Sequence, residues 1–374
     1  MKNFKAGTKV NQGHYTAFIP ASIHQAWELE DMELLTLLSE ADQKLGRLDM
    51  FANYVNIELF ISMHLAKEAT LSSRIEGTQT EMEEVFMSEN MLRSEKRADW
   101  QEVQNYITAM KITVAQLEDL PFSSRLIRRA HEKILYGVRG EHKQPGEFRR
   151  SQNWIGGASL KDAVFVPPPF TEIPSLMGDI EKFANEEVIR LPHLLKAALM
   201  HYQFETIHPF LDGNGRVGRL LIPIYLMSKG VLTQPILYLS DFFERHRTLY
   251  YDNLMRVRTH DDITQWYKFF LTGIIESTEK GIQTFDSILK LQKEIEGKVL
   301  TLGTRAKDAR LVMDGLYQAP IIDALQIAKI TGKSNVSAYK LIADLERLSI
   351  LQEMTGGQRG RVYRFKQYLG LFDS

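Results

Sequence analysis

None of the 374 residues is a cysteine, which excludes disulfides, thiol nucleophiles and cysteine-built zinc ribbons. Long apolar runs are missing too. Nowhere does the chain hold the roughly 18 uninterrupted apolar residues that a membrane helix needs. Its opening, MKNFKAGTKVNQGHYTAF, lacks an apolar stretch of signal-peptide length. A cytoplasmic protein with no membrane partner is the expectation. Charge of one sign is also lacking: 46 basic residues stand against 47 acidic ones, so the chain as a whole is no electrostatic binder of nucleic acid or membrane, although a local patch fits inside that balance. There is no internal repeat, no low-complexity tract and no Walker phosphate loop, G-x-x-x-x-G-K-[ST]. A composition of 44% hydrophobic and 25% charged residues is ordinary for a globular chain, and the length suggests two or three domains.

Helical periodicity, in contrast, is abundant. AWELEDMELLTLLSEADQKLGRL and VNIELFISMHLAKEATLSSRIEG, between Ala21 and Ser94, place apolar residues at three- and four-residue steps, and Gly77 stops the second helix. The same spacing predicts helices over residues 100–117, 123–136, 174–185 and 194–207. It continues through RLLIPIYLMSKG, TLYYDNLMRVRTH and the long segment ending at Leu300. Residues 146–170, GEFRRSQNWIGGASLKDAVFVPPPF, are broken up by Gly146, Gly156, Gly157 and Pro167 to Pro169 and read as a loop or hairpin. The fold class is therefore mainly α.

The last seventy or so residues differ in character. From Gly303 onward 11 Lys and Arg face 7 Asp and Glu, a net +4. The pattern is helix, tight turn at TGKSN, second helix, then a two-stranded ribbon turning at TGGQRG: a winged helix-turn-helix. Val336, Ala338, Leu341, Ile342, Leu345 and Leu348 supply the apolar face of the second helix. Lys333, Lys340 and Arg347 on that helix, with Arg359, Arg361 and Arg364 on the wing, suit DNA. A charge of +4 is modest, so a docking protein or a second copy of the chain suits the module as well.

The most informative stretch is HPFLDGNGRVGR, His208 to Arg219. Gly213, Gly215 and Gly218 satisfy the dinucleotide spacing G-x-G-x-x-G, but that motif needs a buried strand leading into it. Here the leading segment, LLKAALMHYQFETIH, has helical period, although VLTQPILYL ahead of Asp241 has the strand character a nicotinamide-dinucleotide enzyme would need. A helix, a glycine turn and a second helix make an anion hole instead. Glycines at 213 and 215 allow positive φ and close approach, and the new helix offers unsatisfied N–H groups. Asp212 is suited to Mg²⁺, Asn214 to donating to a phosphoryl oxygen, and Arg216 and Arg219 to gripping phosphates as guanidinium forks. His208 can take a proton near neutral pH.

The string resembles the signature of the Fic family, His-x-Phe-x-[Asp/Glu]-Gly-Asn-Gly-Arg-x-x-Arg, at His208, Phe210, Asp212, Gly213, Asn214, Gly215, Arg216 and Arg219. The resemblance implies a Fic-type helical core that binds ATP with Mg²⁺ and transfers AMP to a Ser, Thr or Tyr hydroxyl of a target protein, possibly itself among them. By the same resemblance His208 is the general base and Asp212 the metal ligand. Residues 213 to 215 form the anion hole, with Val217 and Gly218 completing the nucleotide-binding turn, and Arg216 and Arg219 hold the outer phosphates. Phe210 reads as core. The segment containing Ile155, Gly156, Gly157 and Ala158 is similar to the β-hairpin flap that aligns the target, and RTLYYDNL to the segment closing on adenine, with Tyr250 or Tyr251 against the base. SSRIEG matches the family's inhibitory pattern through Ser72, Glu76 and Gly77. There the glutamate pairs with the second signature arginine, here Arg219, and keeps the γ-phosphate from seating.

The implied division is residues 1–95 as an N-terminal helical segment carrying the inhibitory motif, 96–300 as catalytic core and trailing helices, and 301–374 as the winged helix. Two other functions stay open at this point. One is removal of AMP from modified targets, with Glu76 activating water. The other is a DNA-binding regulator whose core senses nucleotide.

Overall fold

The computed structural model describes residues 4–54, 58–357 and 360–372. Its first element is an antiparallel hairpin of β1 (Gly7–Asn11) and β2 (Thr16–Pro20), in register from Gly7 opposite Pro20 to Asn11 opposite Thr16. The helical spacing upstream of residue 32 is not realised. Asp31 accepts a hydrogen bond from Leu34 N at 2.9 Å, so α1 (Met32–Tyr54) begins there. The second helix, α2 (Glu58–Ile75), ends just before Gly77, whose φ of 104° favours glycine. Val55 to Ile57, where its spacing begins, lie outside the described residues.

The middle of the chain is helical as its period requires. α3 (Arg97–Gln116), α4 (Ser124–Ile134), α5 (Ile173–Asn185), α6 (His193–Ile207) and α7 (Asn214–Ser228) are followed by short α8 (Ser240–Arg245), α9 (Arg247–His260) and α10 (Ile263–Leu300). α6 carries buried residues on nearly every position, because it runs through the middle of the bundle against α5, α7 and α10. Residues 231–239 form no strand, and the glycine turn is entered from α6, so the dinucleotide alternative fails on both flanks.

The C-terminal module contains α11 (Ala306–Gln318), β3 (Ile321–Asp323), α12 (Ala324–Thr331), α13 (Asn335–Arg347), β4 (Gln352–Glu353), β5 (Val362–Arg364) and α14 (Lys366–Leu369). The strands form one antiparallel sheet in the order β3-β5-β4. A reciprocal capping box between Asp323 and Gln326 starts α12, and Gly332 at φ 67° closes it. Ala338, Leu341, Ile342 and Leu345 bury the inner face of α13, and Leu348 is half-buried behind them. Val336 departs from the expected apolar face: it is 66% exposed in the first turn of α13. Lys333 pairs with Asp308, Arg347 with Asp344, and Arg364 with Glu83 at 2.6 Å. Arg359 lies outside the described residues.

One continuous apolar core joins these parts. α1 lies along α10, and α2 packs against α3, α8 and α11. The end of α2, at Ile75, is thereby brought to the start of α7, at Asn214, 139 residues away in sequence.

Candidate active site

α6 ends at His208 in the left-handed conformation, φ 49° and ψ 61°. That position turns the chain sharply enough to send Pro209 to Asp212 back under the helix. Phe210 is fully buried and stacks on His131 with centroids 3.7 Å apart and planes 8° from parallel. It anchors the loop as expected. Asn214 then closes it: its Oδ1 accepts from Phe210 N and its Nδ2 donates to Phe210 O, each at 2.9 Å. The Asn214 amide thus clips the loop through both its oxygen and one of its two Nδ2 protons.

Gly213, at φ 75°, fills the left-handed cap of α7. Gly215 does not use positive φ, contrary to the sequence reading. It sits in the first turn of α7, where a Cβ would collide with Glu76 Oε1 and approach Arg219 Nη1 to 3.0 Å. Gly218 leaves space in the same way, because a Cβ there would force Glu205 Oε1 to shift. Val217 points into the core. Asp212 is half-exposed beside the turn, with Oδ1 accepting from Gly213 N at 2.6 Å.

The two signature arginines part company. Arg219 Nη2 donates to Glu76 Oε1 at 2.7 Å and to Ser72 O at 2.8 Å, and its Nε donates to Ser72 Oγ at 2.9 Å. Burial alone would raise the Glu76 carboxyl, but Arg219 outweighs it and holds the group below its usual range. Arg216 turns to Glu102 on α3 at 2.9 Å, and that carboxylate is shared with Arg139 at 2.9 Å. Of the two guanidiniums only Arg219 lines the cleft beside the histidine.

That cleft has a volume of about 430 Å³ and is bounded by Glu76, Glu205, His208, Gly215, Arg219, Tyr250 and Tyr251, with Ile155 and Gly156 on the opposite wall. Burial, with Arg258 and Arg149 nearby, pushes the His208 imidazole down to about 4, so it is neutral and able to accept a proton at pH 7. Tyr250 is core: its hydroxyl meets His201 Nε2 at 2.8 Å, and His201 Nδ1 meets Gly218 O at 3.0 Å. Because a carbonyl only accepts, Nδ1 carries the proton and the Tyr250 hydroxyl donates to Nε2. Tyr251 and Trp154, each 40% exposed, are the aromatic rings of the cleft open to a ligand among the described residues. The opposite wall is a hairpin held by one antiparallel bridge, Ile155 with Phe165, at 2.9 and 3.1 Å. Gly156 and Gly157 turn its tip at φ 68° and 77°, followed by exposed Ala158.

Several residues of the site carried no separate signal in the sequence. The Arg149 guanidinium is buried and finds carbonyls in place of a carboxylate: His208 O (3.0 Å), Ser151 O (3.0 Å), Pro168 O (2.6 Å) and Ile207 O (3.4 Å). It thus ties both roots of the hairpin to the backbone of His208. Arg258 donates to Thr206 Oγ1 at 3.1 Å and lies 4.0 Å above the Phe165 ring, pinning the hairpin from the other side. His131 Nδ1 accepts from Gly146 N at 2.8 Å, so Nε2 is the protonated nitrogen and donates to Asp212 O at 3.0 Å. Glu205 is pushed up to about 7 by burial, with Glu76 adding repulsion and Arg219 opposing both.

Residues 35–115 match the model described as Fic/DOC family N-terminal, and residues 121–226 that described as Fic/DOC family, together half of the chain. "Protein adenylyltransferase Fic" of Aedes aegypti is 35% identical over 156 residues, 41% of this chain and 27% of that protein. The Drosophila grimshawi protein of the same name is 31% identical over 203 residues, 51% of this chain and 38% of that protein. The match thus spans well under half of these curated relatives' own length. A Fic family protein from Desulfovibrio desulfuricans G20 shares the fold at a TM-score of 0.58 and 19% identity, over 91% of this chain and 98% of that one.

Proposed function

This chain belongs to the Fic/DOC family, and from that premise we propose that it is a protein adenylyltransferase restrained by its own Glu76. The acceptor is a Ser, Thr or Tyr hydroxyl of a protein. Its oxygen attacks the α-phosphorus of ATP, its proton passes to neutral His208, and the bond to the β-phosphate breaks to release pyrophosphate. Backbone N–H groups at the start of α7 face the phosphates. Asp212 is the residue to hold Mg²⁺, which would neutralise phosphate charge when bound. Tyr251 is the ring to cover the adenine.

The observation that carries the reading is the engagement of Arg219 by Glu76 and Ser72 in the same cleft as His208. A carboxylate occupies the fork that a γ-phosphate would take, so nucleotide can enter without seating productively. Releasing that fork with Glu76→Gly and supplying ATP labelled at the α- or the γ-position tests it. Protein labelled by the α-label alone supports AMP transfer; label from the γ-position would make the chain a kinase.

A second reading rests on the same carboxylate. Glu76 is held ionised beside His208 and can orient water for AMP removal, which incubation with AMP-modified protein would reveal as Glu76-dependent AMP release. The three-part division 1–95, 96–300 and 301–374 is proposed as one of roles: restraint, chemistry and partner contact. In the last, the exposed start of α13, with Val336, Tyr339 and Lys340, is the face for DNA or a docking protein. Salt-sensitive binding of duplex DNA distinguishes the two.

A further inference from the structure

The N-terminal hairpin lies against the flap. Phe18 N, on β2, donates to Val166 O at 3.0 Å, and the Phe18 and Phe165 rings meet at 5.8 Å. That hydrogen bond is the one backbone link between β2 and the flap among the described residues. Beyond it a groove of about 360 Å³ opens. Its floor is apolar, formed by Ala17, Phe18, Phe165 and Met255, and its rim carries Lys9 and Thr16. Both rim residues are exposed, and Lys9 makes no ion pair among the described residues.

Position gives the groove a role. Val164, Phe165, Met255 and Arg258 line both it and the cleft that holds His208. The groove and the cleft therefore adjoin, and a chain entering the cleft beside the flap can lie across the groove. Val164, 65% exposed, stands on the ridge between the two. The groove's volume of about 360 Å³ has room for one large apolar side chain, and Lys9 adds a cation at its edge.

We propose that β1 and β2 complete the seat for the target segment. The occupant is an extended stretch of the protein carrying the acceptor hydroxyl. One large apolar side chain close in sequence to that hydroxyl drops onto Phe18, Phe165 and Met255, and an Asp or Glu beside it meets Lys9. The hairpin thereby selects the sequence around the modified residue, while the flap aligns it by strand addition. This inference rests on the AMP-transfer reading.

The test uses the full chain with Glu76→Gly, α-labelled ATP and a peptide library with one central Ser, Thr or Tyr and randomised flanks. The expected result is enrichment of a large apolar residue and an acidic one on the same flank. Lys9→Glu should lower the preference for acidic over basic flanks about tenfold, since an attractive surface pair becomes a repulsive one. Thr16→Trp, filling the groove from its exposed rim, should abolish the apolar preference. If the Glu76→Gly chain labels itself or lysate proteins yet shows no flank preference, or Lys9→Glu leaves the preference unchanged, the seat is wrong and AMP transfer stands. If it labels neither peptides nor proteins, AMP transfer falls and the seat with it.

Discussion

Replacing Arg149 by lysine keeps the positive charge but removes the geometry. The guanidinium serves four carbonyls on three segments, those of His208 with Ile207, Ser151 and Pro168. A lysine ammonium, a compact donor on a flexible stem, reaches one or two of them. A buried polar group left without a partner costs about 1–3 kcal/mol. Two or three orphaned carbonyls therefore amount to roughly 2–9 kcal/mol, softened where water enters. The second effect is on chemistry. His208 sits at a positive φ of 49° with its carbonyl held by Arg149, and a displacement of about 1 Å at a catalytic group costs on the order of 100-fold in rate. Measured in the Glu76→Gly background, Arg149→Lys should lower both the melting temperature and AMP transfer. Arg149→Met should in addition raise the His208 pKa, because Arg149 is one of two cations that depress it. A pH-rate profile separates the two substitutions. Wild-type melting and wild-type transfer in Arg149→Lys would refute the reasoning.

Gly218→Ala places a methyl group against Glu205 Oε1 and Phe204, so denaturant unfolding should show a loss of about 1–3 kcal/mol; an unchanged midpoint would mean that α6 and α7 yield. Asn214→Ala removes both hydrogen bonds to Phe210 and should cut AMP transfer more than it cuts stability, as kcat set beside melting would show. His64, His201, His131 and His208 are all lowered from 6.5 by burial, to about 3, 3, 4 and 4. The unfolded chain therefore takes up protons below pH 6.5 while the folded chain does not. Stability should fall from pH 6.5 towards pH 4, by about 1.4 kcal/mol per histidine and pH unit at most, with Glu205, raised to about 7, offsetting roughly one histidine's share between pH 7 and pH 4.5. Melting temperatures flat between pH 7.5 and 5 would contradict the burial of these rings.

What could be read from the sequence was whatever lay close together along it. His208 to Arg219 is contiguous, and its anchor, Phe210, and glycine cap, Gly213, follow from residue type and spacing. Ser72 and Glu76 were legible only through a family pattern, since nothing local ties them to Arg219, which lies 143 residues beyond Glu76. Arg149, His131, Glu102 and Glu205 gave no signal. Each acts by meeting a carbonyl, a cation or a glycine that folding brings to it, and such partners leave no periodicity. The positive φ expected of Gly215 is not used, and Asn214 takes on a structural task, for a related reason. Local chemistry suggested backbone freedom and a phosphate donor, whereas the packing uses one as space for Glu76 and the other as a loop clip. The N-terminal hairpin was missed although Thr8, Val10, Ala17 and Phe18 flank a turn with Gly13. The strands are only five residues long, too short for alternation to stand out.

The central claim is that one cleft transfers AMP through His208 and is held back by Glu76 on Arg219. Its most direct test is the amount of label that α-labelled ATP leaves on the chain itself and on lysate proteins with wild type, Glu76→Gly and the Glu76→Gly, His208→Ala double variant. Relieving one charge-assisted hydrogen bond of about 1.5–3 kcal/mol should raise labelling by roughly 10- to 150-fold in Glu76→Gly over wild type, and removing His208 should abolish it. Equal labelling by wild type and Glu76→Gly, or labelling that survives His208→Ala, would contradict the account.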